Sequence, residues 1–365
     1  MKDIDPAGLA SLNSVDSAFA PIPAWRELPT AWGGPLSPAS FRLQPEDFQV
    51  FEVPLVAPSG EGEHCWLHVR KRNSNTQWVA RQLARFAEVS ASAVSYAGLK
   101  DRKAVTEQWF SVQLPGRPDP DWTSLRHEDF EVLRADRHQR KLKTGALRGN
   151  RFRLRIHNVS ASADGVDQRL RQLACGGFPN YFGLQRFGHD AGNLAEAEKL
   201  FTRPRSRLPR HKRGLYLSAA RSALFNQLLA ARVADGCWNT AMPGDALQLE
   251  GKSACFVAEA IDAQINHRLE ALEVHPTGPL CGDGEALVSG QAAQYEARQL
   301  QAYAAWIDGL QRFRVAAARR ALRVLPGDLQ WLSDSDGSWV LEFFLAAGCY
   351  ATSLLREVFD LDGEE

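Results

Sequence analysis

Residues 150–158 constrain this chain more than any other stretch. Phe152, Leu154 and Ile156 alternate there with Arg151, Arg153, Arg155 and His157. A period of two belongs to a β-strand, with the apolar side chains on a core and every arginine on the opposite face. The stretch therefore excludes an all-helical fold and predicts an antiparallel sheet with one basic, open face. Such a face suits a phosphate backbone.

Around it the chain reads as strand-rich, then helix-rich, then strand-rich again. Extended segments are expected at 48–53 and 64–70, separated by the turn Ser59-Gly60-Glu61-Gly62, and again at 107–114 and 130–133. Asn75 is placed to cap a helix over 76–88, whose Trp78, Val79, Leu83 and Phe86 share one face. Helices are expected at 167–174, 194–200, 218–234, 258–272 and 291–307. Strands return at 322–331 and 338–345, before a last helix from about Thr352. Residues 1–35, with many Ala, Pro and Ser, read as a loosely ordered lead-in. At 365 residues the chain exceeds the roughly 250–300 at which single cores stop growing. Two domains are expected, a helical or mixed one inserted into an α+β one.

Charge narrows the partners. Lys plus Arg and Asp plus Glu number 43 each, so the bulk balance says nothing about nucleic acid. The distribution says more. Nine basic residues lie from Arg134 to Arg155 against the single acid Asp136. Arg203, Arg205, Arg207, Arg210, Lys212 and Arg213 form a second run with no acid. Clustered cations on a neutral protein make a local anion-binding surface, and polyphosphate is its commonest partner. The six cysteines are scattered without a CxxC pair, as expected for small buried thiols in a reducing cytosol. His64 and His68 are four apart on a strand, which is not a chelating arrangement. No run approaches the ~20 apolar residues of a membrane helix, and Asp3 and Asp5 open a segment unlike a secretory signal. A cytoplasmic protein without metal or cofactor is expected.

One segment carries chemistry. In Gly98-Leu-Lys100-Asp101-Arg102-Lys103 a single carboxylate sits among three cations, on a glycine-bounded loop just ahead of a strand. Neighbouring cations favour the charged form of a carboxylate, and an ionised, oriented carboxylate is a nucleophile or a general base. Taken alone, the same composition also describes an exposed mixed-charge turn.

The order of residues goes further. Gly98-Leu-Lys-Asp101-Arg-Lys-Ala-Val-Thr-Glu-Gln108 resembles the nucleophile segment of the TruD family, the tRNA pseudouridine synthases D. Four other segments agree in order: Pro45-Glu-Asp-Phe48 with Gly60-Glu-Gly-Glu-His64, Lys143-Thr-Gly-Ala-Leu-Arg-Gly-Asn150-Arg-Phe152, Pro179-Asn-Tyr-Phe-Gly-Leu-Gln-Arg-Phe-Gly188, and Gly348-Cys-Tyr-Ala-Thr-Ser353. The resemblance covers nearly all of the chain after about residue 40. It implies a V-shaped α+β protein. A pseudouridine-synthase catalytic domain with a mixed, largely antiparallel sheet (36–165 plus 325–365) would be interrupted by an inserted α/β TRUD domain (170–324), with tRNA in the cleft. In relatives the usual target is the uridine at position thirteen in the D arm of glutamate tRNA.

By the same resemblance, the catalytic aspartate falls on Asp101 and the substrate contacts on Phe48, Asn150 and Tyr350. Phe152 falls in the pocket, with the basic Lys100 and Arg42 nearby. Tyr350 departs from the family, where Phe is common; stacking survives and a hydroxyl is added. The residue types suit the reaction on their own terms. Isomerising uridine breaks the N1–C1′ bond, turns the uracil and rejoins it through C5, so no cofactor is required, and no obligate protein partner is expected. A carboxylate must add to the ring or attack C1′. Unstacking the base costs a few kcal/mol, which aromatic faces can offset, and an asparagine amide can both donate to and accept from a uracil edge. Glycoside or nucleoside hydrolysis is disfavoured, because it normally needs a second carboxylate about 5–10 Å away and no other matched motif offers one.

Overall fold

The computed structural model describes residues 19–203 and 208–362. In chain order the elements begin β1 (Ser37–Phe41), β2 (Phe48–Pro54), β3 (His64–Arg72), α1 (Thr76–Phe86), β4 (Val94–Tyr96), β5 (Val105–Gln113), β6 (Phe130–His138), β7 (Leu147–His157), α2 (Ala163–Gly176) and β8 (Phe178–Pro179). There follow α3 (Gly192–Thr202), α4 (Arg210–Ala234), β9 (Asp245–Leu249), β10 (Cys255–Ala258), α5 (Ala263–Glu270), β11 (Val274–Leu280), α6 (Gly290–Leu300) and α7 (Ala304–Arg312). The chain closes with β12 (Ala318–Ala321), β13 (Arg323–Val324), β14 (Gly327–Ser333), β15 (Trp339–Ala346), α8 (Ala351–Leu355) and β16 (Phe359–Asp362).

The described chain divides into two compact units, one of Pro29–Gly183 with Arg323 onward, the other of 19–28 with Leu184–Leu322. The first holds a ten-stranded sheet whose main path runs β14-β15-β7-β2-β5-β3-β6. Its ladders are antiparallel except β2 with β5 and β1 with β16. The alternating stretch is β7, near the middle. Phe152, Leu154 and Ile156 enter one buried cluster with Phe48 and Val50 of β2, Leu341 and Phe343 of β15, and residues of α2 and α8. Full burial of each such side chain stabilises by roughly 1.5–3 kcal/mol. Gly149 lets β7 approach β15, since a Cβ there would lie 2.2 Å from the Leu345 carbonyl oxygen. Helix α1 covers the neighbouring strands, with Val79 and Leu83 against Leu67, Val69 and Phe110. Asn75 caps it, its Oδ1 accepting from Gln77 N at 2.9 Å.

The second unit pairs an antiparallel sheet, β10-β9-β11-β12, with α3 to α7. Leu224, Phe225, Leu228 and Leu229 are its buried stripe on α4. Arg232 and Asp245 form a fully buried two-pronged ion pair at 2.6 and 3.2 Å.

Several expectations shift. The helix expected over 258–272 is shorter, Ala263–Glu270, because Asp262 Oδ1 accepts from Ile265 N and starts α5 there. The helix expected over 291–307 is two, and the strand over 322–331 is divided between β13 and β14. The units' boundary falls at Gly183 rather than near 165–170, since α2 packs on the β7 core. The loose lead-in is corrected for 19–35. Trp306 Nε1 donates to Ala20 O, Tyr181 Oη to Pro29 O, and the Ala31 and Trp32 amides donate to Glu357 Oε2. Residues 1–18 lie outside the described residues.

Candidate active site

Asp101 sits in the loop between β4 and β5, and buried polar groups fix that loop at point after point. Gln108 Nε2 donates to Gly98 O (2.5 Å), and Lys100 N donates to Thr76 Oγ1 (3.0 Å) at the start of α1. Lys100 Nζ meets Glu52 Oε2 of β2 at 2.6 Å, both side chains nearly buried, and Glu52 Oε1 also accepts from Trp109 N. Lys71 Nζ, at the end of β3, donates to Asp101 O (2.8 Å) and Ser74 O (2.7 Å). The carboxyl group itself is left about one-third exposed.

The cations beside Asp101 in sequence are not the ones that meet its carboxylate. Lys100 is committed to Glu52, and Arg102 Nε points to Asn73 O. Arg42 supplies the contact, its Nη2 lying 3.4 Å from Asp101 Oδ2. The backbone of Arg42 turns left-handed (φ 59°) directly after β1, a conformation unusual for a non-glycine residue. Its guanidinium lies over the ring of Phe48, 3.9 Å from the centroid.

Phe48, Val50 and Glu52 share one face of β2, and Phe48, Val50 and Glu52 pair across the ladder with Leu154, Phe152 and Asn150 of β7. Phe48 and Phe152 meet edge to face at 6.2 Å, and Phe152 stacks on Phe343 at 5.4 Å. The structure thus brings Asp101, Arg42, Phe48, Phe152, Glu52 and Lys100 together, with Asn150 at the same end of the sheet. Among the described residues the Asn150 Oδ1 has no hydrogen-bond partner, although it is buried. Leaving a buried acceptor unmatched costs roughly 1–3 kcal/mol. Tyr350 follows β15 and precedes α8; its ring meets Phe182 edge to face at 6.0 Å and packs beside Gly183.

The basic face of β7 is corrected by its partners. Alternation puts Arg151, Arg153 and Arg155 on the side of the sheet opposite Phe48, Asn150 and Phe152. Each is matched by an acid: Asp328 at 2.9 Å, Glu342 at 2.8 Å and Asp334 at 2.6 Å. Arg137 and Arg134 likewise pair with Asp119 and Asp136. In the second run, Arg203, Arg210, Lys212 and Arg213 are exposed, whereas Arg205 and Arg207 lie outside the described residues. Arg186 donates to Ser218 Oγ within the second unit, and Asn226 on α4 is buried.

Lys71 and Glu52 escaped the sequence reading, though a signal for Lys71 existed. Cys65, Leu67 and Val69 point inward on β3, and the next inward position is Lys71, fully buried. All six cysteines are free thiols; burial pushes Cys65 and Cys281 up to about 12, while Cys175 is exposed. Burial also lowers His68, which stacks on Trp109 and pairs with Glu107. Among the described residues no three His, Cys, Asp or Glu side chains are grouped to hold a metal ion, and no helix is long and apolar enough to cross a membrane.

Comparison with known proteins places the chain among relatives of one family. The profile of the family described as tRNA pseudouridine synthase D (TruD) matches residues 37–193 and 191–358. A protein named tRNA pseudouridine synthase D from Methylococcus capsulatus is 47% identical over 340 residues, covering 93% of this chain and 96% of its own. One of the same name from Nitrosococcus oceani is 46% identical over 332 residues, covering 90% and 93%. The crystal structure of a putative tRNA pseudouridine synthase D from Methanosarcina mazei has the same fold, with TM-score 0.70 at 23% identity over 91% of this chain and 95% of that one.

Proposed function

Since the chain belongs to the tRNA pseudouridine synthase D family and is therefore an isomerase of tRNA uridine, we propose that Asp101 is its catalytic carboxylate. We assign its target to the uridine at position thirteen in the D arm of glutamate tRNA, modified in the cytoplasm. In this reading Pro29–Gly183 with Arg323 onward is the catalytic domain, and Leu184–Leu322 is the inserted TRUD domain.

The flipped uracil enters where the Arg42 guanidinium now lies, stacking on Phe48 while Arg42 moves off the ring. Asp101 adds to the uracil ring or to C1′. The N1–C1′ bond breaks, after addition to the ring or as Asp101 displaces N1 from C1′; the uracil turns, C5 bonds to C1′, and the bond to Asp101 breaks to return the free carboxylate. The proton leaves C5 and N1 ends protonated, so atoms and electrons balance without an added reactant. Phe152 supports Phe48 from its edge, and Tyr350 supplies a further aromatic wall. Lys100 acts from beneath, through Glu52, to hold the loop.

The buried, unmatched Oδ1 of Asn150 is the observation that best supports a uracil here, because the N3–H of the base is a donor of the right kind. For the tRNA body, Arg210, Lys212 and Arg213 are exposed on the first turns of α4. Cations there oppose the helix dipole, an arrangement that an approaching phosphate relieves. The test is Asp101→Asn in single-turnover conversion of glutamate tRNA. Conversion should vanish with tRNA affinity intact, since removing a negative charge cannot weaken RNA binding. Activity within about tenfold of wild type, roughly 1.4 kcal/mol in barrier, would remove Asp101 from this role.

A further inference from the structure

We infer that Lys71 is a positioning residue for the reaction, setting the reach of the Asp101 carboxylate through the main chain on which it is carried. This rests on Asp101 being the catalytic carboxylate. Lys71 is the one fully buried lysine of the described residues, and its ammonium donates to two main-chain carbonyls, Asp101 O and Ser74 O. A lysine in that setting does no surface work. It ties the loop bearing Asp101 to the turn that opens α1, at the residue where displacement matters most. Shifts on the order of 1 Å in a reacting group can lower rates about a hundredfold.

The rest of the anchorage shows what Lys71 adds. Gln108, Thr76 and the Lys100–Glu52 pair secure Gly98 and Lys100, ahead of Asp101, and Asn73 N secures Ala104 behind it. Lys71 holds the main chain at Asp101 itself. Its hydrogen bonds are charge-assisted, and such bonds are roughly twice as strong as neutral ones. Burial draws Lys71 down to about 8; the Asp101 carboxylate opposes this and Lys100 adds to it. Its cross-strand neighbours, Thr106 on β5 and Phe130 on β6, are uncharged, as is Ser74 before α1. The carboxyl of Asp129, ahead of β6, faces His127. The grip on Asp101 therefore slackens as pH rises through the range in which Lys71 loses its proton.

The experiment measures single-turnover pseudouridine formation and tRNA affinity from pH 6.5 to 9.5, for wild type, Lys71→Met, Lys71→Arg and Asp101→Asn. Wild type should lose about tenfold in rate across one alkaline step near pH 8. Lys71→Met should be ten- to a hundredfold slower at pH 7.5, bind tRNA within twofold of wild type, and lack the step. Lys71→Arg should recover part of the rate and also lack it, because arginine stays charged. A flat wild-type profile, a Met variant that keeps the step, or parallel losses of rate and affinity would each overturn the inference. Should Lys71→Met fail to fold, the wild-type and Lys71→Arg profiles decide alone. If Asp101→Asn remains active, the premise fails; if only the Lys71 variants behave as wild type, the premise stands and this inference falls.

Discussion

Glu52 offers the sharpest test of how the loop bearing Asp101 is held. Its carboxylate is 1% exposed and the Lys100 side chain 7%, with 2.6 Å between them. Removing one member of such a pair leaves a charge stranded out of water, which costs roughly 3–5 kcal/mol. Glu52→Leu and Lys100→Met should each destabilise the first unit by about that amount. Removing both leaves only the Trp109 N–H, now paired with Glu52 Oε1, without an acceptor, and a buried unmatched donor costs roughly 1–3 kcal/mol. The double variant should therefore be more stable than either single one, and at least about 3 kcal/mol short of the additive sum. The chain has two units, so one global transition is a poor reporter. Hydrogen exchange of peptides spanning 105–113 during a urea series reads the relevant unit separately. If the two single losses simply add, within about 0.5 kcal/mol, the pair is not the buried unit described above.

Two further outcomes follow from partners that the sequence hides. Arg153→Ala should leave tRNA affinity and its salt dependence at wild-type values and cost no more than about 1 kcal/mol, because Arg153 faces away from Asp101 and forms a half-exposed pair with Glu342; a slope of log affinity against log salt smaller by nearly one unit would show a lost phosphate contact. Glu357 is driven up to about 7 by burial, against two amide donors that hold it down, so its share of stability is present below the ordinary glutamate range and lost as pH rises through about 7. The melting temperature of Glu357→Gln relative to wild type should then climb by a few degrees from pH 5 to pH 8, and a constant difference would refute the shift.

What the sequence revealed was local. The period of two at 150–158 needs only neighbouring residues, and so does the cap at Asn75; both lie where expected. The Asp101 loop was legible because its residues are contiguous. The acids that meet Arg151, Arg153 and Arg155 lie more than 170 residues away, on two strands and a turn that no local pattern pairs with β7. An open basic face was the natural reading, and it was wrong. Arg42 reaches Asp101 from 59 residues away, through a left-handed turn. The parallel pairing of β1 with β16 joins the first strand to the last, which hydrophobic periodicity does not encode. β11 was missed for another reason: its Pro276, Gly278 and Pro279 are residues that usually interrupt strands.

The split of the first unit around Leu184–Leu322 also has a consequence in time. β7 meets β2 as soon as both have left the ribosome, but its other neighbour, β15, begins only at Trp339. At bacterial and eukaryotic synthesis rates of 5–20 residues per second, a gap of roughly 180 residues is a wait on the order of 10–40 s. Throughout that interval one edge of β7 offers unpaired amides and carbonyls beside Phe152, Leu154 and Ile156, a template for wrong pairing. Arg151, Arg153 and Arg155 then stand on the nascent strand without Asp328, Asp334 and Glu342, as unneutralised charge that keeps other chains off. Replacing all three with threonine should raise aggregation during synthesis far more than it lowers the stability of the finished protein. The arginines that look like a landing site for RNA would serve first as guards of an unfinished sheet, and be discharged from that duty when the last strands arrive.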